Sequence, residues 1–337
     1  MGQMHAITFK SPGPPEVLAW SSVATPDPTP DDVVIDIHAA GINNADLLQR
    51  RGVYPVPPGA SSILGLECSG TISWVGNSAR DWKVGDRVCA LLTGGGYAQQ
   101  VAVPWDQVLP VPGGVDVLQA AALPEAACTV FSNLSMKAQL QAGMSLLVQG
   151  GGSGIGTFAI QWAKAIGVTV LCTAGSEEKL SRCAALGADV LINYRDSDFS
   201  EQSLLATGGK GVDRILDIVG ADYLERNLRC LALDGHLVII GNTGSRVDRP
   251  LPLGLLMTKR LSVSATMLRA RPHAQKAAIV KAVRENVWPL IEAGRIVPVV
   301  DSVLPMPKAA DAHQLLADGR TVGKVLLVNA DGTKAPA

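Results

Sequence analysis

The sequence predicts an α/β fold in which a doubly wound, six-stranded parallel sheet is inserted into a β-rich domain. Three observations predict it. Residues 4 to 110 break into short alternating runs punctuated by glycine and proline, the pattern of a barrel-like or partly open β-domain. From about Ala120 the period changes, and short β-branched runs alternate with helical segments, as in a parallel sheet covered on both faces. Between Leu146 and Lys179 stands LLVQGGGSGIGTFAIQWAKAIGVTVLCTAGSEEK. It is a strand, a glycine-packed turn, an amphipathic helix and a second strand, the unit on which such sheets bind dinucleotides. Residues 1–125 and 268–337 are assigned to the β-rich domain and 126–267 to the insert.

The elements follow in order. Met4 to Phe9 reads as a strand, with a turn at Ser11-Pro12-Gly13-Pro14-Pro15. Val33 to His38 alternates after the proline-rich loop Thr25 to Pro30, and a helix begins near Ala45. Ser69–Val75, Arg87–Leu92 and Tyr97–Val103 are further strands, the last preceded by the run Gly94-Gly95-Gly96. Residues 117 to 141 read as helices. The parallel strands are expected at Leu146–Gly150, Val168–Thr173, Val190–Tyr194, Arg214–Val219, Leu237–Gly241 and Leu261–Ala265. A helix over Pro272–Glu292 follows. Val299–Leu304 and Val325–Val328 then flank a helix at Pro307–Ala317 and return to the first domain. Asp331 to Ala337 reads as a frayed end.

The glycine turn carries the chemistry. Gly151, Gly152, Gly154 and Gly156 let the backbone pass close to a pyrophosphate and open a helix whose free N–H groups face it. Against the Rossmann template G-x-G-x-x-G, Ser153 replaces the middle glycine. An acid about 20 residues on holds the ribose 2′-hydroxyl of NAD; here that position is Ala174-Gly175, followed by Ser176 and Lys179. A carboxylate ~4 Å from a 2′-phosphate costs about 4 kcal/mol at an effective dielectric of 20. Its absence beside a lysine favours NADPH, and Tyr194 is placed to close over the same phosphate. Glu177 and Glu178 read as first-turn acids on the helix dipole.

Composition excludes several classes. The 337 residues carry a formal net charge of −1, without the clustered Lys and Arg of a nucleic-acid partner. No apolar run reaches the ~18 residues of a membrane span, and the start has no signal-peptide pattern. The six cysteines are scattered without a C-x-x-C pair and read as buried thiols of a reducing compartment, by default the cytoplasm.

One block is more specific. Gly41-Ile-Asn-Asn-Ala-Asp-Leu-Leu-Gln-Arg-Arg-Gly-Val-Tyr54, continuing through Pro57-Pro-Gly-Ala-Ser-Ser-Ile-Leu-Gly-Leu-Glu-Cys-Ser-Gly70, resembles the zinc-independent quinone oxidoreductases (zeta-crystallin-like) of the medium-chain dehydrogenase/reductase superfamily. Leu92-Thr-Gly-Gly-Gly-Tyr-Ala-Gln99, Pro124-Glu-Ala, the Ser153 variant of the glycine turn and Leu231-Ala-Leu-Asp-Gly235 are closest to the tumour-suppressor-induced branch. The resemblance covers nearly the whole chain. It implies a GroES-like catalytic domain split around the Rossmann domain, NADPH as cofactor, and homodimers or homotetramers whose sheets join edge to edge through the strand near Leu261–Ala265. It places Asn43 and Tyr54 in the quinone pocket beside the nicotinamide, and Thr129 on a helix contacting that ring. Gly152, Ser153, Gly154 and Ile155 fall in the pyrophosphate turn, and Ser176, Lys179 and Tyr194 at the 2′-phosphate. Gly241 and Asn242 fall beside the nicotinamide ribose, and Lys324, ahead of Arg320, is matched to a C-terminal basic position.

Zinc members of the superfamily place a cysteine where Asn43 stands and Gly-His-Glu where this chain has Gly65-Leu66-Glu67. A zinc site needs three or four converging ligands, and none is expected. A metal lowers a bound hydroxyl's pKa from ~15.7 to ~7, a shift of about 12 kcal/mol, so simple alcohols are poor substrates without one. A quinone or enone is already electrophilic and needs only hydride, orientation and donors to its developing oxyanion. Asn43 and Tyr54 suit that task, although Asn43 also suits a helix cap. The expected activity is NADPH-dependent, metal-independent reduction of quinones or α,β-unsaturated carbonyls. The alternatives are enoyl-thioester reduction on the same fold, and a low-turnover NADPH-binding structural or RNA-binding protein.

Overall fold

The structure, a computed structural model, describes residues 2–242 and 249–329; the expectation for Asp331–Ala337 lies outside them. The chain divides into two units: Met1–Cys128 with Leu268–Gly294 and Pro298–Ala337, and Thr129–Met267 with Arg295–Val297.

In the first unit β1 (Gln3–Thr8) pairs antiparallel with β2 (Ala19–Ala24). The second strand is missed by sequence because Ala-Trp-Ser-Ser-Val-Ala has no fully buried residue and lacks a clean apolar face. β3 (Asp32–Gly41), β4 (Glu67–Val75), β5 (Arg87–Leu91), β6 (Gln100–Pro104) and β7 (Val108–Pro110) follow. β3 is central: β4 and β6 pair antiparallel with it. Ile35, Ile37, Leu64, Ile72, Val88 and Tyr97 are buried in the core beneath. Helix α1 (Asn44–Arg50) follows β3 directly. Pro124–Val130 forms α2, and Phe131–Lys137 continues it in wider π-helical turns, a form often found at functional sites.

The second unit is the expected parallel sheet. Its strands are β8 (Ser145–Val148), β9 (Thr169–Ala174), β10 (Val190–Asn193), β11 (Val212–Asp217), β12 (Leu231–Ile239) and β13 (Ser262–Ala265), in spatial order β10-β9-β8-β11-β12-β13. The crossover helices are α3 (Gly154–Ala165), α4 (Glu177–Ala185), α5 (Phe199–Ala206), α6 (Leu224–Cys230) and α7 (Leu253–Lys259). The chain winds outward from β8 to β10, returns to β11 on the other side of β8, and winds outward again. The reversal beside β8 is where doubly wound sheets take their ligands. Leu147, Leu171, Ile192, Phe199, Ile215 and Leu237 fill its core. β12 starts at Leu231, earlier than the pattern suggests, with Asp234 at a φ of 59° inside it.

The helix expected over 272–292 is two helices, α8 (His273–Asn286) and α9 (Trp288–Glu292). Pro289 lacks the N–H that a continuous helix would need there and sits in the first turn of the second. β14 (Val300–Pro305), α10 (Ala309–Ala317) and β15 (Lys324–Val328) complete the first unit, β15 pairing with β3 at Ala39–Gly41. That pairing brings Lys324 to the end of β3, next to Asn43.

Candidate active site

The glycine turn folds tightly against its own strand. Gly150 turns the chain at a φ of 73°, and a methyl group on Gly156 would lie 2.3 Å from the Gly150 carbonyl oxygen. Ser153, with extended backbone, caps α3 by accepting the Gly156 N–H at 2.9 Å. The serine that departs from the template thus holds the helix start, and the Gly154 and Ile155 N–H groups are those a helix leaves for a ligand. A buried polar chain ties the turn to the sheet. The Gly150 N–H donates to Thr173 Oγ1 (3.0 Å), which donates to Gln149 Oε1 (2.8 Å). Gln149 donates to Asn227 (2.8 Å), and Asn227 to Asp217 (3.0 Å). Burial pushes the Asp217 carboxyl up to about 6.

The residues matched to the 2′-phosphate converge at the end of β9. Ser176 caps α4 by accepting the Lys179 N–H at 3.3 Å. The Lys179 stem lies along Gly152, its Cδ 3.3 Å from where a methyl group there would sit. The Tyr194 hydroxyl lies against Gly175 in the same way, at 2.5 Å. Arg195 joins them, its Nε 3.1 Å from the same position. It is a second cation that sequence reasoning missed, although its adjacency to Tyr194 was the available signal.

On the other side of the switch point, Gly241 and Asn242 meet the turn after β11. The Asn242 Oδ1 accepts the Ala221 N–H at 3.3 Å, and a methyl group on Gly241 would lie 2.7 Å from the Ile218 carbonyl oxygen. Thr129 is buried, and its carbonyl oxygen accepts from Asn133 Nδ2 at 2.8 Å. Asn133 accepts in turn from the Thr266 hydroxyl at 2.6 Å.

In the first unit Asn43 is the residue before α1, and the Asp46 carboxylate takes its backbone N–H at 2.8 Å. The Asn43 amide turns away to donate to Glu67 Oε1 (2.9 Å) and accept from Lys324 Nζ (2.7 Å). The Lys324 ammonium also pairs with Glu67 Oε1 at 2.5 Å, with side chains 6% and 0% exposed. Lys324, matched in sequence to a C-terminal basic position, thus has its charge held on Asn43 and Glu67. The Glu125 N–H donates to the other Glu67 oxygen at 2.9 Å. Burial, then the Glu67 charge, pushes the Glu125 carboxyl up to about 8. Glu125 was legible only as part of Pro124-Glu-Ala.

Asp46 anchors this corner. It also accepts the Gly65 N–H at 2.9 Å, and burial pushes its carboxyl up to about 6. Behind it runs a directional chain. Burial and the Arg50 charge push His313 down to about 3, so its imidazole is neutral. Arg50 Nη1 lies 3.2 Å from His313 Nδ1, which must then accept, leaving Nε2–H to face the Tyr97 hydroxyl at 3.2 Å. Tyr97 bonds Asp46. A buried arginine and a buried aspartate are thus linked through two neutral side chains, which satisfies both charges without direct contact.

Tyr54 stands in the loop after α1 with the Arg269 guanidinium 5.6 Å from its ring centre. Burial, then Glu125 and Asp46, raises its phenol above the ordinary value. Among the described residues, no group of three or more His, Cys, Asp or Glu is placed to hold a metal ion. The donors present do not fit zinc: Leu66 is buried hydrocarbon, and an ammonium occupies the space between Asn43 and Glu67. All six cysteines are free and buried. No helix among the described residues is long and apolar enough to cross a membrane.

Comparison with known proteins decides the family. Residues 29–113 match the alcohol dehydrogenase GroES-like domain, and residues 154–284 the zinc-binding dehydrogenase domain. A quinone oxidoreductase of Pseudomonas aeruginosa is 34% identical over 96% of this chain and 98% of its own length. The chain belongs to the quinone oxidoreductase family. It is an oxidoreductase of the zinc-independent type, for which the donor set around Asn43 gives the local reason. The crystal structure of Escherichia coli quinone oxidoreductase complexed with NADPH superposes with a TM-score of 0.84 at 32% identity, covering 96% of this chain and 99% of that one. CurK enoyl reductase superposes with a TM-score of 0.86 at 25% identity, covering 97% and 100%.

Proposed function

We propose that this quinone oxidoreductase reduces quinones, or related α,β-unsaturated carbonyls, with NADPH and without a metal ion. The observation that carries the cofactor choice is the end of β9, where Lys179, Arg195, Ser176 and the Tyr194 hydroxyl gather around Gly152 and Gly175. Two cations and two hydroxyls suit a phosphate dianion, and the carboxylate that would select a 2′-hydroxyl is missing from the strand end. The N–H groups of Gly154 and Ile155 hold the pyrophosphate, and Gly241, Asn242 and Thr129 hold the nicotinamide half. When bound, the reduced nicotinamide supplies a hydride.

The first unit supplies donors for the acceptor. Tyr54 presents a hydroxyl that burial keeps protonated. The Asn43 amide is held in one orientation by Glu67 and Lys324, whose own charges offset each other in a buried pair. Glu125, protonated at neutral pH with its carboxyl at about 8, is the nearby proton source for the second oxygen. Two further proposals rest on single features. The edge of β13 away from β12 carries no paired strand among the described residues, and it joins the same strand of a second copy. Six buried free thiols suit a reducing compartment such as the cytoplasm.

The test is NADPH oxidation by the purified protein across a panel of benzo- and naphthoquinones and simple enones. Turnover with quinones supports this proposal. Turnover confined to enoyl thioesters supports the second reading, which the likeness to CurK enoyl reductase favours. Tight NADPH binding without turnover on any acceptor sinks both.

A further inference from the structure

The first unit contains a cavity of about 810 Å³, lined by the loop Pro57–Ala60, the strand ends around Thr93 and Val103, and the segment Arg269–Lys276. Its volume is that of a pocket for a small organic molecule. One wall is strongly cationic. Arg269 is 4% exposed and Lys276 6%, and both are moored to the same residue: Arg269 Nε donates to the Thr93 carbonyl at 2.8 Å, and Lys276 Nζ to the Thr93 hydroxyl. Arg269 Nη1 donates to Gln49 Oε1 at 2.7 Å. Two donors remain unmet: Arg269 Nη2 and Arg271 Nε are buried without a hydrogen-bond partner among the described residues.

This arrangement is costly as it stands. Buried N–H groups of a cation normally find an acceptor, and two cations sharing one residue repel each other. The acids in reach do not meet the unmet donors. Asp46 is spent on the Asn43 and Gly65 N–H groups, Asp106 bonds His273, and Glu125 is protonated at neutral pH. Asp27 lines the cavity as well and leaves both guanidinium donors unmatched. An oxyanion of the occupant supplies what is missing: flat guanidinium donors suit a carboxylate or phosphate.

We propose that this cavity binds the acidic group, carboxylate or phosphate, of the acceptor substrate, with Arg269 and Arg271 as its anion anchor and Lys276 lending charge. The Arg269 guanidinium lies 5.6 Å from the centre of the Tyr54 ring, so the anchor on the cavity wall stands beside the residue whose hydroxyl is assigned above to the oxyanion. The inference rests on the acceptor-reducing role proposed for Tyr54 and adds a substrate class to it: acceptors with an anionic tail.

Two measurements test it. The first needs no turnover. Inorganic phosphate and acetate are titrated against the melting temperature of the protein and of Arg271→Gln, a substitution that removes no hydrogen bond present in the structure. At least one anion should raise the melting temperature saturably, with an affinity about tenfold weaker in Arg271→Gln, the loss of one charge-assisted contact. Phosphate alone acting points to a phosphate ester, acetate alone to a carboxylate. No shift with either anion, or the same affinity in both proteins, overturns the proposal. The second compares KM for 1,2-naphthoquinone with that for its 4-sulfonate. The sulfonate should bind about tenfold better, and the ratio should fall to about one in Arg271→Gln. Equal KM values in the unaltered protein also overturn it. If neither quinone is reduced but the anion shift depends on Arg271, the quinone reading fails and the anion site stands.

Discussion

Lys179 lies along Gly152, as Tyr194 and Arg195 lie against Gly175, and its loss should be felt by one nicotinamide nucleotide only. Lys179→Ala is expected to weaken NADPH by about 1–3 kcal/mol, one charge-assisted contact, and to leave NADH almost unchanged. Fluorescence titration of both cofactors checks this, and equal losses refute the assignment. Glu125 makes a prediction about pH. Its carboxyl titrates at about 8 in the folded protein against 4.5 for a free glutamate. Between those values the folded state holds a proton that the unfolded chain has lost, so this residue makes stability fall as pH rises through the window. Below about 4.5 both states are protonated and the effect vanishes; above about 8 it is complete. Glu125→Gln should therefore be more stable relative to the unaltered protein at pH 9 than at pH 5, measured by urea unfolding. The same difference at both values would remove Glu125 from the account. Ser176, Lys179 and Tyr194 were legible because they follow two adjacent strands in sequence; Arg195, the next residue, was missed. The Glu67–Lys324 pair was not legible, because nothing in the sequence signals which lysine a buried glutamate will meet.

The strand–turn–helix from β8 to α3 owes its shape to contacts within a few residues. A methyl group on Gly156 would overlap the Gly150 carbonyl oxygen, so Gly156→Ala must push the helix off the strand. It should cost about 1–3 kcal/mol, as overpacking does, and weaken NADPH binding together with stability. Wild-type values in urea unfolding and cofactor titration would show that the close approach is not needed. Ser153 explains its departure from the glycine template at this scale, since only a side chain can cap the helix through the Gly156 N–H. Element boundaries were less legible. Pro289 splits the last long helix, and β2, with little buried apolar surface, gives no pattern to read. The widened turns at Phe131–Lys137 also have no sequence signature, because the backbone alone distinguishes them from an α-helix.

At the scale of the whole molecule, the open edge of β13 is the feature that invites a partner. Sheet edges with unpaired backbone groups join other chains unless they are blunted. Leu253 and Met257 on α7, the helix leading into β13, and Met267 just beyond it are well exposed. Dimers are expected in sedimentation, and Met257→Lys with Ala265→Lys should shift them toward monomers without altering the melting of a monomeric unit. A protein that sediments as a monomer before substitution refutes the edge-to-edge pairing.

The sequence by itself determined the succession of strands and helices in the second unit, the glycine turn, and the missing carboxylate at the end of β9. These are local: hydrophobic period, backbone freedom and helix capping act between residues a turn or a strand apart. Only the tertiary structure decided what surrounds Asn43, Tyr54 and Arg269. Lys324 reaches Asn43 across 281 residues, and Arg269 reaches Gln49 across 220. Such partners are chosen by which strands pair and which charges burial forces together, and no short stretch of chain records that choice.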